Sequence, residues 1–168
     1  MRLYLSSYRF GSAVERLTAL IPPGARVAVV SNALDLVPEE ARRSYARNVH
    51  DPLADLADMG FAPFDLDLRR WFGEAAGLER DLADVGLVWA VGGNAFLLRR
   101  AMAQSGLDAI LQRRLAEDSL AYGGWSAGAC VAGPSLRGID LMDAPDEVAD
   151  GYDPAPIYDG LGLVDFVI

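Results

Sequence analysis

The sequence predicts an α/β domain: a doubly wound, mostly parallel sheet with helices on both faces. Three observations carry this expectation. Short apolar runs alternate along the 168 residues with longer stretches of helical spacing. Several of those runs have no polar face, as parallel strands covered on both sides do not. No repeat, low-complexity tract or linker divides the chain, so a single domain is expected.

Taken in order, RLYLSS at 2–7 reads as the first strand and 12–20 as a helix after it. RVAVVS at 26–31 is a second strand, apolar on both faces, followed by helical spacing over 38–59. The charges in PEEARRSYARN within that stretch are of both signs and read as a solvated helix face. FAPFDLDL at 61–68 is a third strand and 74–85 its helix; GLVWAV at 86–91 is a fourth, followed by helical spacing over 94–117 that Gly106 should interrupt. LAYG at 120–123 leads into a short helical stretch at 127–132, and LVDFVI at 163–168 reads as a last strand. This order of elements is that of flavodoxin-like folds, in which ligands gather beyond the carboxyl ends of the strands.

Composition narrows the function. With 52% hydrophobic and 23% charged residues the chain can bury a full core, which excludes disorder. A net charge of -9 repels phosphate backbones and anionic lipid, so neither nucleic acid nor a membrane is an expected partner. One cysteine, Cys130, precludes an internal disulfide and reads as a buried, inert thiol; a single histidine leaves no metal-ligand cluster, and no cofactor is implied. The polar N-terminus and the lack of a long apolar stretch point to a soluble, cytoplasmic protein, free to form a homo-oligomer.

Two strand-to-helix junctions carry chemistry. Gly92-Gly93-Asn94 follows the fourth strand; paired glycines permit a tight turn with exposed amides, and Asn94 can cap the next helix, although the same triplet also makes an ordinary structural turn. Gly124-Trp125-Ser126-Ala127-Gly128 matches G-x-S-x-G, the nucleophile elbow. There the serine hydroxyl projects above the sheet, its neighbours must be small for the turn to close, and the next amide, that of Ala127, faces any oxyanion formed on a substrate. A packing turn or a phosphate-binding turn is the alternative to a nucleophilic Ser126.

GGNAFLL followed by YGGWSAGACVAGPSLRG resembles the peptidase E (dipeptidase E) and cyanophycinase group, serine peptidases with a class I glutamine amidotransferase-like fold. Glutamine amidotransferases of that fold carry cysteine at the elbow; Ser126 stands there instead, which favours the peptidase branch. The resemblance implies that Ser126 attacks a peptide carbonyl and that the amides of Gly93 and Ala127 hold the oxyanion. It implies an acidic triad member within GPSLRGIDLMDAP, Asp140 first and Asp143 as the alternative. The implied substrate is a small peptide with an N-terminal aspartate, bound around Gly92 and Asn94, with Arg9 a candidate to pair with the aspartate. Ala95 stands where the group often has threonine, removing a hydroxyl donor.

In that group the catalytic histidine follows the strand that matches GLGLVDFVI. This chain's one histidine, His50, falls instead in the charge-rich ARNVHDPLADL and is expected on the surface. Loss of the histidine costs on the order of a million-fold in turnover in a serine protease, so the 168 residues alone are expected to be nearly inactive. An apolar LVDFVI left as an uncovered last strand would be a sticky edge, and on that ground the chain is expected to be part of a longer enzyme. A shortened homologue that binds peptides without cleaving them is the alternative.

Overall fold

Five strands form, β1 (Arg2–Ser6), β2 (Arg26–Val30), β3 (Ala62–Asp65), β4 (Val85–Ala90) and β5 (Ala121–Trp125), in a computed structural model that describes residues 1–168. All neighbours are parallel and the sheet order is β1-β5-β4-β2-β3. The helices are α1 (Val14–Thr18), α2 (Glu39–Asn48), α3 (Pro52–Asp58), α4 (Ala75–Asp81), α5 (Ala95–Ser105), α6 (Leu107–Ala116) and α7 (Ala127–Cys130). Leu17 of α1 and Leu56 of α3 pack with Phe10, Val27, Leu87 and Trp89 on one face, while α4 to α7 cover the other. Both faces of β2 and β4 are therefore buried, as their uninterrupted apolar sequences require.

Several elements depart from the sequence expectation. The stretch 38–59 is two helices, because Asp51 accepts the amides of Leu53 and Ala54 and Pro52 starts a new helix where its missing N–H costs nothing. Residues 61–68 pair only as far as Asp65; Asp67 then caps a 3₁₀ turn over Leu68–Trp71. The long helical stretch is divided at Gly106, which has a φ of 77°.

The run 163–168 is not a strand. The amides of Leu163 and Val164 both donate to the Ala132 carbonyl beyond α7, at 2.9 and 3.2 Å. Leu161 and Leu163 are buried to anchor this loop, whereas Phe166, Val167 and Ile168 are exposed. The apolar pattern here reflects anchoring rather than strand pairing, and no bare core strand stands at this edge of the sheet.

Residues 143–155 form a strap without regular structure over α5. Arg100, fully buried, gathers it: the guanidinium donates to the carbonyls of Ala155 (3.0 Å), Pro154 (3.1 Å), Pro145 (2.5 Å) and Glu147 (3.5 Å). Burial lowers the pKa of Arg100, and these carbonyls replace the water it has lost.

Candidate active site

β5 delivers Ser126 to the carboxyl edge of the sheet with φ 51° and ψ −116°, a conformation that L-residues rarely adopt. Its main chain is held on both sides. The amide donates to the Ser6 carbonyl at 3.2 Å, and the carbonyl accepts the amides of Ala129 and Cys130, both at 2.8 Å. The residue itself is exposed. Gly128 lets α7 start against β4, since a Cβ there would lie 2.8 Å from the carbonyl carbon of Ala90. Ala127, as the first residue of α7, presents an amide that no preceding turn of helix can satisfy.

The second turn lies alongside, because β4 pairs with β5 and places Ala90 opposite Gly124. Gly92 sits under the Trp125 ring, where a Cβ would come within 2.7 Å of it. Gly93 has φ 142° and presses on the peptide of Ala33. Its amide lies outside every element and donates to no acceptor in the chain. The Asn94 side chain is engaged in the fold: Oδ1 accepts the amides of Phe96 (2.9 Å) and Leu97 (3.0 Å), and Nδ2 donates to the Ala144 carbonyl (3.0 Å). The fold thus gathers Ser126, Ala127, Gly92 and Gly93 at adjacent strand ends.

The other candidates lie around these turns. Arg9 follows β1 at the same edge with φ 48°, and its guanidinium lies 4.7 Å from the ring centroid of Tyr8, whose own ring meets Trp125 edge-on at 5.6 Å. Tyr45 beside it, with Arg9, holds the Tyr8 hydroxyl below its ordinary pKa. Asp140 is exposed and accepts the Gly138 amide at 2.7 Å. Asp143 accepts the Ala95 amide at the start of α5 at 2.8 Å. It also lies close enough to Cys130 to add to the effect of burial, the main cause of that thiol's raised pKa. Cys130 is half-buried rather than enclosed.

His50 is not on the surface. It is 6% exposed, at the break between α2 and α3, with Nδ1 3.0 Å from Asp55 Oδ2. Its ring meets Phe10 and Trp125 edge-on, at 5.5 and 6.1 Å between centroids. Burial pushes its pKa down, so the neutral ring is favoured, while Asp55 pulls the other way. The charged run before it conceals this placement; the signal available in the sequence is Asp51-Pro52, which ends one helix and turns the chain back toward the sheet.

Beside the elbow opens a cleft of about 910 Å³ between α2 and the carboxyl ends of β2 and β4, bordered by Gly93, Trp125 and His50. α2, read from sequence as a solvated face, supplies one wall through Ala41, Arg42, Tyr45 and Ala46. At its far end Arg69 grips Asp67, which is held down at about 2 against the upward push of burial. No three His, Cys, Asp or Glu side chains come together to hold a metal, and no helix is long and apolar enough to cross a membrane.

Comparison with known proteins gives the chain's family. The chain is 31% identical to Peptidase E of Streptomyces coelicolor over 156 residues, covering 93% of this chain and 55% of that protein. It is 34% identical over 79 residues to an uncharacterized peptidase of Listeria innocua, covering 47% of this chain and 35% of that one. The chain therefore spans about half the length, or less, of these curated relatives. Among solved structures it resembles a peptidase E-type protein of Listeria monocytogenes, with TM-score 0.77 and 24% identity over 98% of this chain and 76% of that one. It also resembles a peptidase from an acI-B1 actinobacterium, with TM-score 0.57 and 15% identity over 96% and 63% of the two chains. These two likenesses establish the fold, and peptidase family S51 itself matches residues 10–168. On that match and the Streptomyces relative, this chain belongs to peptidase family S51.

Proposed function

We propose that the chain carries the nucleophile and oxyanion hole of a serine peptidase, with Ser126 forming an acyl-enzyme on a short peptide. The observation that carries this reading is the left-handed, exposed Ser126 beside the unpaired amide of Gly93. In the reaction Ser126 Oγ attacks the peptide carbonyl as its proton passes to a histidine. The oxygen becomes an oxyanion between the Gly93 and Ala127 amides; the tetrahedral centre collapses, the amine leaves with the proton, and water releases the acyl group. The substrate is a peptide with an N-terminal aspartate, as the family resemblance implies, and no cofactor takes part.

The histidine that takes the proton is, as the family resemblance implies, one that follows the segment matching GLGLVDFVI; His50 is a separate residue of the cleft border, with Nδ1 on Asp55 and its ring edge-on to Phe10 and Trp125. Asp140 orients the proton-accepting histidine by the motif match; Asp143, between α5 and Cys130, is the alternative. The cleft bordered by Gly93 and Trp125 favours a second reading for these residues taken alone, a module that binds peptides without cleaving them.

A fluorophosphonate probe tests the proposal. In the protein from its native source the probe should label Ser126, and Ser126→Ala should abolish both labelling and cleavage of Asp-X dipeptides. Full cleavage by Ser126→Ala would refute the nucleophile. Labelling that survives in Asp143→Asn but not in Asp140→Asn assigns the acid to Asp140, and the reverse assigns it to Asp143.

A further inference from the structure

A buried asparagine stands behind the Gly93 turn. Asn32, 2% exposed, opens the 3₁₀ turn Asn32–Leu34 that follows β2. Its Oδ1 accepts the Leu68 amide at 3.0 Å. Its Nδ2 faces three acceptors: Asp35 Oδ2 at 2.8 Å, Asp67 Oδ1 at 3.2 Å and the Tyr152 hydroxyl at 3.3 Å. The Tyr152 hydroxyl in turn donates to Asp35 at 2.5 Å, and burial, with Asp35, pushes its pKa up, so it keeps that proton. One side chain therefore joins three segments far apart in sequence: its own turn, the chain beyond β3 and the strap. A buried polar network with its partners met fixes the geometry around it closely, because any shift leaves a polar group unpaired. The reaction at Ser126 makes no use of Asn32.

The consequence reaches the site through the next residue. The Ala33 carbonyl accepts the Asn94 amide at 2.9 Å, and the Val30 carbonyl accepts the Val91 amide at 3.0 Å. The Gly92-Gly93 turn is thus pinned on both sides to the end of β2. The approach is close, since a Cβ on Gly93 would lie 2.8 Å from the Ala33 carbonyl carbon. Between the two pinned amides that of Gly93 is free, so its direction follows from where the Ala33 carbonyl stands. A single 3₁₀ turn has poor hydrogen-bond geometry of its own and holds its shape weakly. The bonds of the Asn32 side chain supply what that turn lacks.

We infer that Asn32 is a positioning residue for the oxyanion hole: by fixing the 3₁₀ turn it sets the Ala33 carbonyl, and through it the direction of the Gly93 amide. This rests on the reading of Ser126 as nucleophile and Gly93 as an oxyanion donor. All partners of Asn32 lie inside the fold, so it acts on the turn and not on a substrate.

Rates of fluorophosphonate labelling at Ser126, in the protein expressed from its native gene, test this. A lost oxyanion donor costs on the order of 10²–10³ in turnover, so a misdirected one should lower the maximal labelling rate of Asn32→Ala about tenfold or more. The half-saturating probe concentration should stay within about twofold, because the donor acts on the transition state. Asn32→Ser, whose site adjoins a polar cavity of about 50 Å³ that water can enter, should behave alike and serves if the alanine variant does not fold. Leu115→Ala, at a buried position of α6 remote from both turns, controls for lost stability and should label at the wild-type rate. Amide hydrogen exchange reads the geometry itself: in Asn32→Ser the Asn94 amide should exchange about tenfold faster or more, while Val91 keeps its protection. Wild-type labelling rates in both Asn32 variants, a slowing shared by Leu115→Ala, or an Asn94 amide as protected as before would overturn the inference and leave the nucleophile standing. No labelling of Ser126 in the unsubstituted protein would refute the nucleophile, and the role of Asn32 with it.

Discussion

At Ser126 the backbone conformation and the proposed chemistry oppose each other. A non-glycine residue at φ 51°, ψ −116° stores about 1–3 kcal/mol, part of which glycine would release at the cost of greater chain entropy. Ser126→Gly should therefore be more stable than Ser126→Ala by about 1 kcal/mol in urea unfolding, while both lose probe labelling. A glycine variant no more stable than alanine would mean that the turn is relaxed. His50 makes a pH prediction. Its folded pKa is lowered by burial from an unfolded value of about 6.5, so above that pH neither form is protonated and its contribution is intact. As the pH falls below about 6.5 the unfolded chain binds the proton first and stability is lost. From about pH 7 to about pH 5 the unfolding midpoint should fall further in the wild type than in His50→Gln.

At the level of elements, the two turns of the candidate site are set by what packs behind them. The strap 143–155 is tied to the start of α5 through Asn94 and Asp143 and to its middle through Arg100. Arg100→Met would remove the donor that ties four strap carbonyls to α5, a loss of about 2 kcal/mol in urea unfolding. Limited proteolysis should then cut first within 143–155. Gly128→Ala addresses the other turn. The added methyl meets main chain of β4 that cannot swing aside, so the variant should lose about 2–3 kcal/mol. A fully stable Gly128→Ala would show that α7 can retreat from the sheet.

At the level of the whole molecule, the site depends on contacts remote in sequence. β1 pairs only with β5, and the Ser6 carbonyl is the acceptor that fixes the Ser126 amide. Removing residues 1–7 should therefore raise hydrogen exchange at Ser126 well before it does so in β2, which keeps both its neighbours. Equal protection of Ser126 in the truncated chain would mean that the elbow is held by α7 alone.

What could be read from the sequence was local. Apolar runs without a polar face marked β2 and β4, and small residues around a serine marked the elbow, because strand burial and tight turns constrain residue type directly. The turn positions of Gly93 and Ala127 were legible for the same reason. Placement across the fold could not be read this way. A charged helix face became a cleft wall, His50 went inward against Trp125, and the apolar 163–168 anchored a loop instead of pairing. Each of these depends on which distant backbone groups and rings meet a residue once the sheet is ordered β1-β5-β4-β2-β3, and hydrophobic periodicity along the chain carries no record of those partners.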